Sequence, residues 1–300
     1  MKVLITGGAG YLGSATVEVL RDAGHDVTVY DSLRWTDLYL EDVRFIRGDV
    51  RDRGMLSSAL ADQDAVVWLA ALVGDAACER NCEEAWQVNS DAVLWLSDNF
   101  YGRIVFPSTC SVYWRAEGLL DESAKCHAES VYGRTKMVAE HSLDGEDAVV
   151  FRLGTLFGIG GKHGRFRMDL VVNGMTVKAV MDRQITVHGG AQWRPHLHVL
   201  DAATAIKAGL VGRPGTYNLV GENMTISDLA SAVAKAVPGT EILLGPPPEN
   251  DPRDYQVSGE KAVKALHWAP EQTVLYGIDE VRELAASGRL ADRESRRLTN

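Results

Sequence analysis

Tyr132 and Lys136 stand four positions apart in VYGRTK, residues 131–136. On a helix that spacing sets both side chains on one face, where a phenol and an ammonium can work on the same proton. A free phenol ionises near pH ~10, and a neighbouring positive charge favours its phenolate, bringing it toward use as a general base. The same pair suits an ordinary solvated helix face, so the decision rests on what the chain builds around it.

A second group of residues suits anion binding. TGGAGYLGS, residues 6–14, follows the apolar run KVLIT and places glycines at 7, 10 and 13. Gly7 permits a tight turn, Gly10 a close backbone approach to a pyrophosphate, and Gly13 close packing of helix on strand, with the helix N-terminus facing the anion. Against this stands the plainer reading of G-x-x-G-x-x-G as a strand-to-helix turn. Asp31 ends the next strand about 20 residues on, where a carboxylate accepts hydrogen bonds from the adenosine ribose hydroxyls. A 2′-phosphate would be repelled there, which favours NAD over NADP, although the nearby Arg34 works in the opposite sense. Asp49, in GDV at 48–50, suits either the adenine amino group or a helix cap.

The elements that must position these groups alternate through the first half. KVLIT is followed by a helix over about 12–23, HDVTVYD, VRFIRGD, a helix after Asp52, DAVVWLAAL, a helix over about 83–100, RIVFPST, the Tyr132 helix to about 143, and DAVVFRLG. Near-continuous apolar strands alternating with helices predict an α/β fold with a doubly wound parallel sheet (Rossmann) covered on both faces, over 1–154. Residues 155–300 are expected to form a smaller C-terminal α/β substrate-binding lobe. It interleaves with the first, because GTYNLVG at 215–221 reads as a strand returning to the main sheet. GTLFGIGGKHGRFRMDL, from Gly154, reads as loop, with Arg165 and Arg167 either substrate cations or solvated charges. Further on come a helix N-capped by Ser227, a strand at EILLG, a break at PPP 246–248, an amphipathic helix near 277–286 and a polar tail, LADRESRRLTN.

Composition narrows the function. The 300 residues are 46% hydrophobic and 24% charged, enough apolar content for a large core plus a smaller lobe. A net charge of -10 argues against a general nucleic-acid binder. No apolar run nears the ~18 residues of a membrane span, and the N-terminus lacks a signal-peptide layout, so the expected location is the cytoplasm. Cys78, Cys82, Cys110 and Cys126 form no C-x-x-C pair and have no zinc-like His spacing, which predicts reduced structural thiols and no metal.

TGGAGYLG, an acid closing the second strand, LAA at 69–71, STCSVY at 108–113, Tyr132-x-x-x-Lys136 and RPHLHVLD at 194–201 occur in one order. In that order the chain resembles the extended short-chain dehydrogenases/reductases, and within them the NAD-dependent nucleotide-sugar epimerase/dehydratase branch with its UDP-glucose 4-epimerase-like members. The resemblance covers most of the chain. It implies a catalytic set of Thr109, Tyr132 and Lys136, with Ser108 and Ser111 competing for the hydroxyl role. It implies an NAD site of Gly7, Gly10, Tyr11, Leu12, Gly13, Asp31, Asp49, Val50, Leu69, Ala70, Ala71, Tyr132 and Lys136. A nucleoside-diphosphate sugar would lie between the lobes against Thr109, Thr155, Asn173, Arg194 and Arg253. Asn173 reads equally well as a helix or turn residue, and His196 and His198 read more as packing groups than as acids or ligands.

The activity so implied is epimerisation at C4 of the sugar: Tyr132 removes the hydroxyl proton as hydride leaves for NAD+, the 4-keto sugar turns over, and hydride returns to its other face. The rival readings are a 4-ketoreductase using external NAD(P)H, a 4,6-dehydratase, and a non-catalytic NAD-binding sensor or scaffold, which has no need of an intact Thr, Tyr and Lys. Three positions depart from the family pattern. Thr155 stands where Asn is usual, Trp114 replaces a glycine and would fill space near the sugar, and Cys110 and Ser111 stand where a dehydratase carries an Asp-Glu acid pair. Arg253, in DPRDY, only approximates the family's R-x-G-D. A homodimer is expected through the helices near 83–100 and 129–143.

Overall fold

The computed structural model describes residues 1–35, 39, 42–247 and 253–290. Pro248 of the expected proline break, and the expected polar tail beyond Leu290, lie outside the described residues. β1 (Lys2–Thr6) leads through the glycine turn into α1 (Tyr11–Asp22), then β2 (Asp26–Asp31), β3 (Arg44–Arg47), α2 (Arg53–Leu60) and β4 (Ala65–Trp68). Short helices α3 (Asp75–Arg80), α4 (Cys82–Trp86) and α5 (Ala92–Asn99) precede β5 (Arg103–Thr109), β6 (Arg115–Leu120), α6 (Val131–Ser142) and β7 (Ala148–Leu153). Next come β8 (Thr155–Phe157), α7 (Val171–Asp182), β9 (Gln184–His188), β10 (Trp193–His198), α8 (Val199–Gly209) and β11 (Gly215–Leu219). The last described elements are β12 (Glu222–Thr225), α9 (Ile226–Ala236), β13 (Glu241–Gly245), β14 (Asp254–Val257), α10 (Glu260–Leu266) and α11 (Val274–Ala286).

Seven parallel strands build the main sheet in the order β11-β7-β5-β4-β1-β2-β3. Successive residues of a strand face opposite sides, and both sides are covered here, which is why these strands read as unbroken apolar runs. Val3, Ile5, Val67 and Val105 pack with α1 and α8, whereas Leu4, Val66, Ile104 and Phe106 pack with α2, α5 and α6. The chain reverses its direction of strand addition between β1 and β4, and ligands of open parallel sheets bind at the carboxyl ends beside such a switch. The expected return strand is β11, which pairs with β7 from Gly215 opposite Val149 to Leu219 opposite Leu153. Smaller sheets, β12-β10-β8, β13-β9 and β14-β6, lie outside the main one.

Four expectations change. The helix expected over 83–100 is broken: α4 passes into a π-helical turn, Gln87–Asp91, before α5, and α3 precedes it. A π turn inserts an extra residue into the helical count, a shift that periodicity arguments do not register. The arginine-rich loop contains β8, held by parallel pairing with β10. α11 starts at Val274 behind a Thr273 cap, earlier than expected. The N-cap of α9 is Thr225, whose hydroxyl accepts from the Asp228 amide at 3.0 Å, and not Ser227, whose amide donates instead to the Gly190 carbonyl at 2.9 Å. Thr225→Ala is therefore expected to cost about 1 kcal/mol in urea unfolding, with no loss of capping in Ser227→Ala.

Candidate active site

A cleft of about 330 Å³ opens at the carboxyl ends of β1, β2, β4 and β5. Its floor is the glycine turn. Gly7 has φ +75°, and a Cβ there would lie 2.7 Å from the Ala70 amide nitrogen, so only glycine fits. At Gly13 a Cβ would come within 2.1 Å of the Gly7 carbonyl oxygen, which explains the close seat of α1 on the turn. Gly10 stands at the N-cap of α1 with no side chain to cap it, so the first amides of α1 and the positive end of its dipole are offered to the cleft. Tyr11, Leu12, Val50, Leu69, Ala70 and Ala71 also line it.

Asp31 closes β2 and ties the turn down. Its carboxylate accepts from the Ala9 amide at 3.0 Å and the Leu33 amide at 2.7 Å. Burial pushes its pKa up, and these two bonds oppose the rise. Arg34, which argued against an NAD preference, is matched by Glu84 at 2.7 Å. Asp49 caps no helix. Asp52 caps α2, while Asp49 is held by the Arg51 guanidinium at 2.6 Å, which keeps its carboxyl below the usual range.

At the other end, Thr109 closes β5 and Tyr132 and Lys136 project from successive turns of α6. The Thr109 hydroxyl accepts from the Ser111 amide at 3.1 Å, and its influence on the Tyr132 phenol opposes the rise of that group's pKa. The Lys136 ammonium is buried 4.1 Å over the Phe106 ring, and desolvation pulls its pKa down to about 7, against the pull of Glu140. Desolvation likewise pushes the Tyr132 phenol up, with Cys78 and Asp75 adding to the rise. Any acidification of the phenol must therefore overcome its own desolvation, which Arg167 and Thr109 already oppose. Lys136, buried as deeply, holds its own charge weakly.

The rival hydroxyls have different partners. Ser108 hydrogen-bonds the Glu140 carboxylate, and Glu140 in turn binds Arg152 at 2.7 Å. Arg152 continues to the Tyr113 hydroxyl at 2.9 Å and thence to Asn218 at 2.8 Å, stitching β5, α6, β7 and β11 together beneath the site. Ser111 faces the cleft beside Arg253, at 3.5 Å. Cys110 is buried with its thiol toward the Arg152 carbonyl, and burial pushes it well above the ordinary thiol range.

Sequence reasoning missed Asn89. The π turn carries it into the interior, where its amide accepts from the Leu72 amide at 2.8 Å and donates to the Thr135 hydroxyl at 3.2 Å. Thr135 donates to the Tyr132 carbonyl at 2.9 Å, so Asn89 braces α6 against the Leu72 segment of the cleft wall. A lone Asn in a helical pattern gives no signal of this.

The expected substrate residues divide. Thr155 and Arg253 line the cleft, and Arg253 pairs with Asp75 at 3.0 Å. Arg165 and Arg167 line it too, the second in an ion pair with Asp169. Arg194 and Asn173 do not. Arg194 is buried and donates to the Trp193 and Arg253 carbonyls. The Asn173 amide is spent on the backbone of Gly158 and Arg167, so it shapes the loop that carries the arginines. Trp114, expected near the sugar, is not among the lining residues; its φ of +59° shows why a glycine would sit there without strain. His196 is fully buried and its pKa is pulled down to about 4, while His198 caps α8 and meets Glu280 at 2.8 Å. Among the described residues no three His, Cys, Asp or Glu side chains gather as metal ligands, and no helix is long and apolar enough to cross a membrane.

A family model, the NAD dependent epimerase/dehydratase family, matches residues 3–219. The chain belongs to that family. Curated relatives include a UDP-glucose 4-epimerase of Corynebacterium glutamicum, 29% identical over 93% of this chain and 94% of its own length. A dTDP-glucose 4,6-dehydratase of Streptomyces niveus is 30% identical over 94% of this chain and 92% of its own. Among solved structures, the Thermus thermophilus UDP-glucose 4-epimerase in complex with NAD superposes with a TM-score of 0.81 at 26% identity, covering 94% of this chain and 99% of that one. The family's cofactor fits what this chain builds: an uncapped helix N-terminus, a glycine floor with no room for a Cβ at Gly7, and a carboxylate at the end of β2.

Proposed function

We propose that the chain is an NAD-dependent epimerase of a nucleoside-diphosphate sugar, inverting C4 through a transient 4-keto sugar. The observation that carries this reading is convergence: Thr109, Tyr132 and Lys136 meet at one end of a cleft whose other end holds the glycine turn and Asp31. NAD+, when bound, supplies the hydride acceptor and later the donor. Tyr132 would take the proton of the sugar hydroxyl and return it, and Thr109 would hold the reacting oxygen. Lys136 would bind the nicotinamide ribose and lend its charge to the phenolate. Arg253, Thr155 and Ser111 are the groups placed to meet the sugar nucleotide.

The dehydratase reading finds less support, because the residues after Thr109 are a thiol turned into the core and a serine, with no acid for elimination of the 6-hydroxyl. Asp31 supports NAD held through the cycle, and so the epimerase over a ketoreductase. The test is interconversion of a nucleotide-sugar panel, UDP-glucose first, with no added reductant. Product at the other C4 configuration is expected; turnover only once NAD(P)H is added, with its stoichiometric consumption, would establish the reductase instead. The homodimer belongs to the same proposal, and light scattering decides it.

A further inference from the structure

The glycine-rich segment that carries Arg165 is docked on the helix of the dinucleotide site. The Tyr11 hydroxyl donates to the Gly158 carbonyl at 2.8 Å, the Gly161 amide donates to the Ser14 hydroxyl at 3.1 Å, and the Lys162 amide donates to Glu18 at 2.5 Å. The contact is close enough to require glycine: a Cβ at Gly160 would lie 2.7 Å from the Tyr11 carbonyl oxygen, and one at Gly161 2.6 Å from the Ser14 backbone. A segment read as a substrate loop is thus seated on the first two turns of α1. From that seat Arg165 turns back into the cleft, buried to 8% exposure, with its guanidinium 4.7 Å from the centre of the Trp35 ring. Trp35 follows Asp31 by four residues and lines the same cleft.

We propose that Arg165 is the second positive pole of the NAD site, meeting the cofactor's pyrophosphate together with the N-terminus of α1, and that Trp35 is the platform that aims it. A guanidinium fork suits paired phosphate oxygens, and a helix N-terminus supplies amides to the same anion. Placement separates this from service to the sugar nucleotide. Arg165 stacks on the segment following β2, whereas Thr109 and Thr155 belong to β5 and to the chain beyond β7, on the far side of β4. Burial also pulls the Arg165 pKa down to about 10, a cost that an anion in contact would offset. The inference rests on the reading of this cleft as an NAD site, and it makes the substrate loop a cofactor-binding element.

The test is NAD titration by calorimetry of the full-length protein after removal of carried-over nucleotide, beside steady-state assays at saturating NAD. Arg165→Ala is expected to raise the NAD dissociation constant at least tenfold. Arg165→Lys should raise it less, and Trp35→Leu should raise it severalfold by freeing the guanidinium. The KM for the nucleotide sugar should stay within about twofold. Unchanged NAD affinity in Arg165→Ala would overturn the proposal, and so would unchanged NAD affinity with a tenfold higher KM, which would assign the arginine to the substrate diphosphate. Should Arg165→Ala fail to fold, Trp35→Leu and Arg165→Gln carry the same comparison. Because the titration needs no sugar turnover, a failure of the epimerase reading leaves its result standing.

Discussion

Tyr132→Phe is expected to lower kcat for nucleotide-sugar interconversion by about a thousandfold while leaving NAD affinity within about threefold. The substitution removes one oxygen and keeps the ring, which packs on Leu72, Cys78 and Val131, so the fold should persist. On the proposed mechanism what disappears is the acceptor for the sugar hydroxyl's proton, since the Thr109 hydroxyl already bonds the Ser111 amide and is a poor base. The pH dependence gives a second readout. Desolvation holds the phenol above its ordinary range, so only added positive charge, from Lys136 and an oxidised nicotinamide, brings it within reach. In the parent, kcat/KM should rise with pH along the phenol's titration, and the residual activity of the variant should lack that limb. Turnover within tenfold of the parent would place the proton acceptor elsewhere.

Lys136→Met should separate activity from stability. On the proposed mechanism activity is expected to fall at least a hundredfold, because the cation assigned there to the phenolate and the nicotinamide ribose is gone. Stability should move the other way. An unfolded lysine keeps its proton to near 10.5, whereas the folded Lys136 gives it up at about 7. Between those values the unfolded chain binds more protons, so this group makes stability rise with pH across that window and weigh against folding at its lower end. Methionine fills similar space without a charge to bury. In nucleotide-stripped protein the variant should gain about 2 kcal/mol near pH 7, with a flatter stability profile from pH 7 to 10 in urea unfolding. A variant less stable than the parent at pH 7 would show that the ammonium is a structural asset.

The same contrast marks what could be read from sequence. The parallel sheet was legible because each strand is covered on both faces and so becomes a continuous apolar word, Val3-Leu4-Ile5 or Val66-Val67-Trp68. The glycine turn and the Tyr132–Lys136 spacing were legible because they are local, fixed by the geometry of a few consecutive residues. Asn89 was hidden, since a π turn alters which helical positions face inward without altering composition. The engagement of the Ser108 hydroxyl by Glu140, and the withdrawal of Arg194 and Asn173 from the cleft, depend on contacts with Glu140, Arg253 and the Gly158 loop that no spacing encodes. Electrostatics was the least legible: a lysine counted as a charge in sequence holds that charge weakly once Phe106 and the sheet enclose it.

The pairing of β11 with β7 bears on how the chain is made. During synthesis β7 is complete by Leu153, yet its outer edge acquires a partner only after Leu219 has left the ribosome. Until then a buried-type apolar strand, AVVFRL, presents unpaired amides and carbonyls, the surface on which nascent chains join wrongly. A chain stopped near residue 154 would keep the glycine turn and α6 but expose that edge for good, and aggregation of such a fragment follows from the strand order alone.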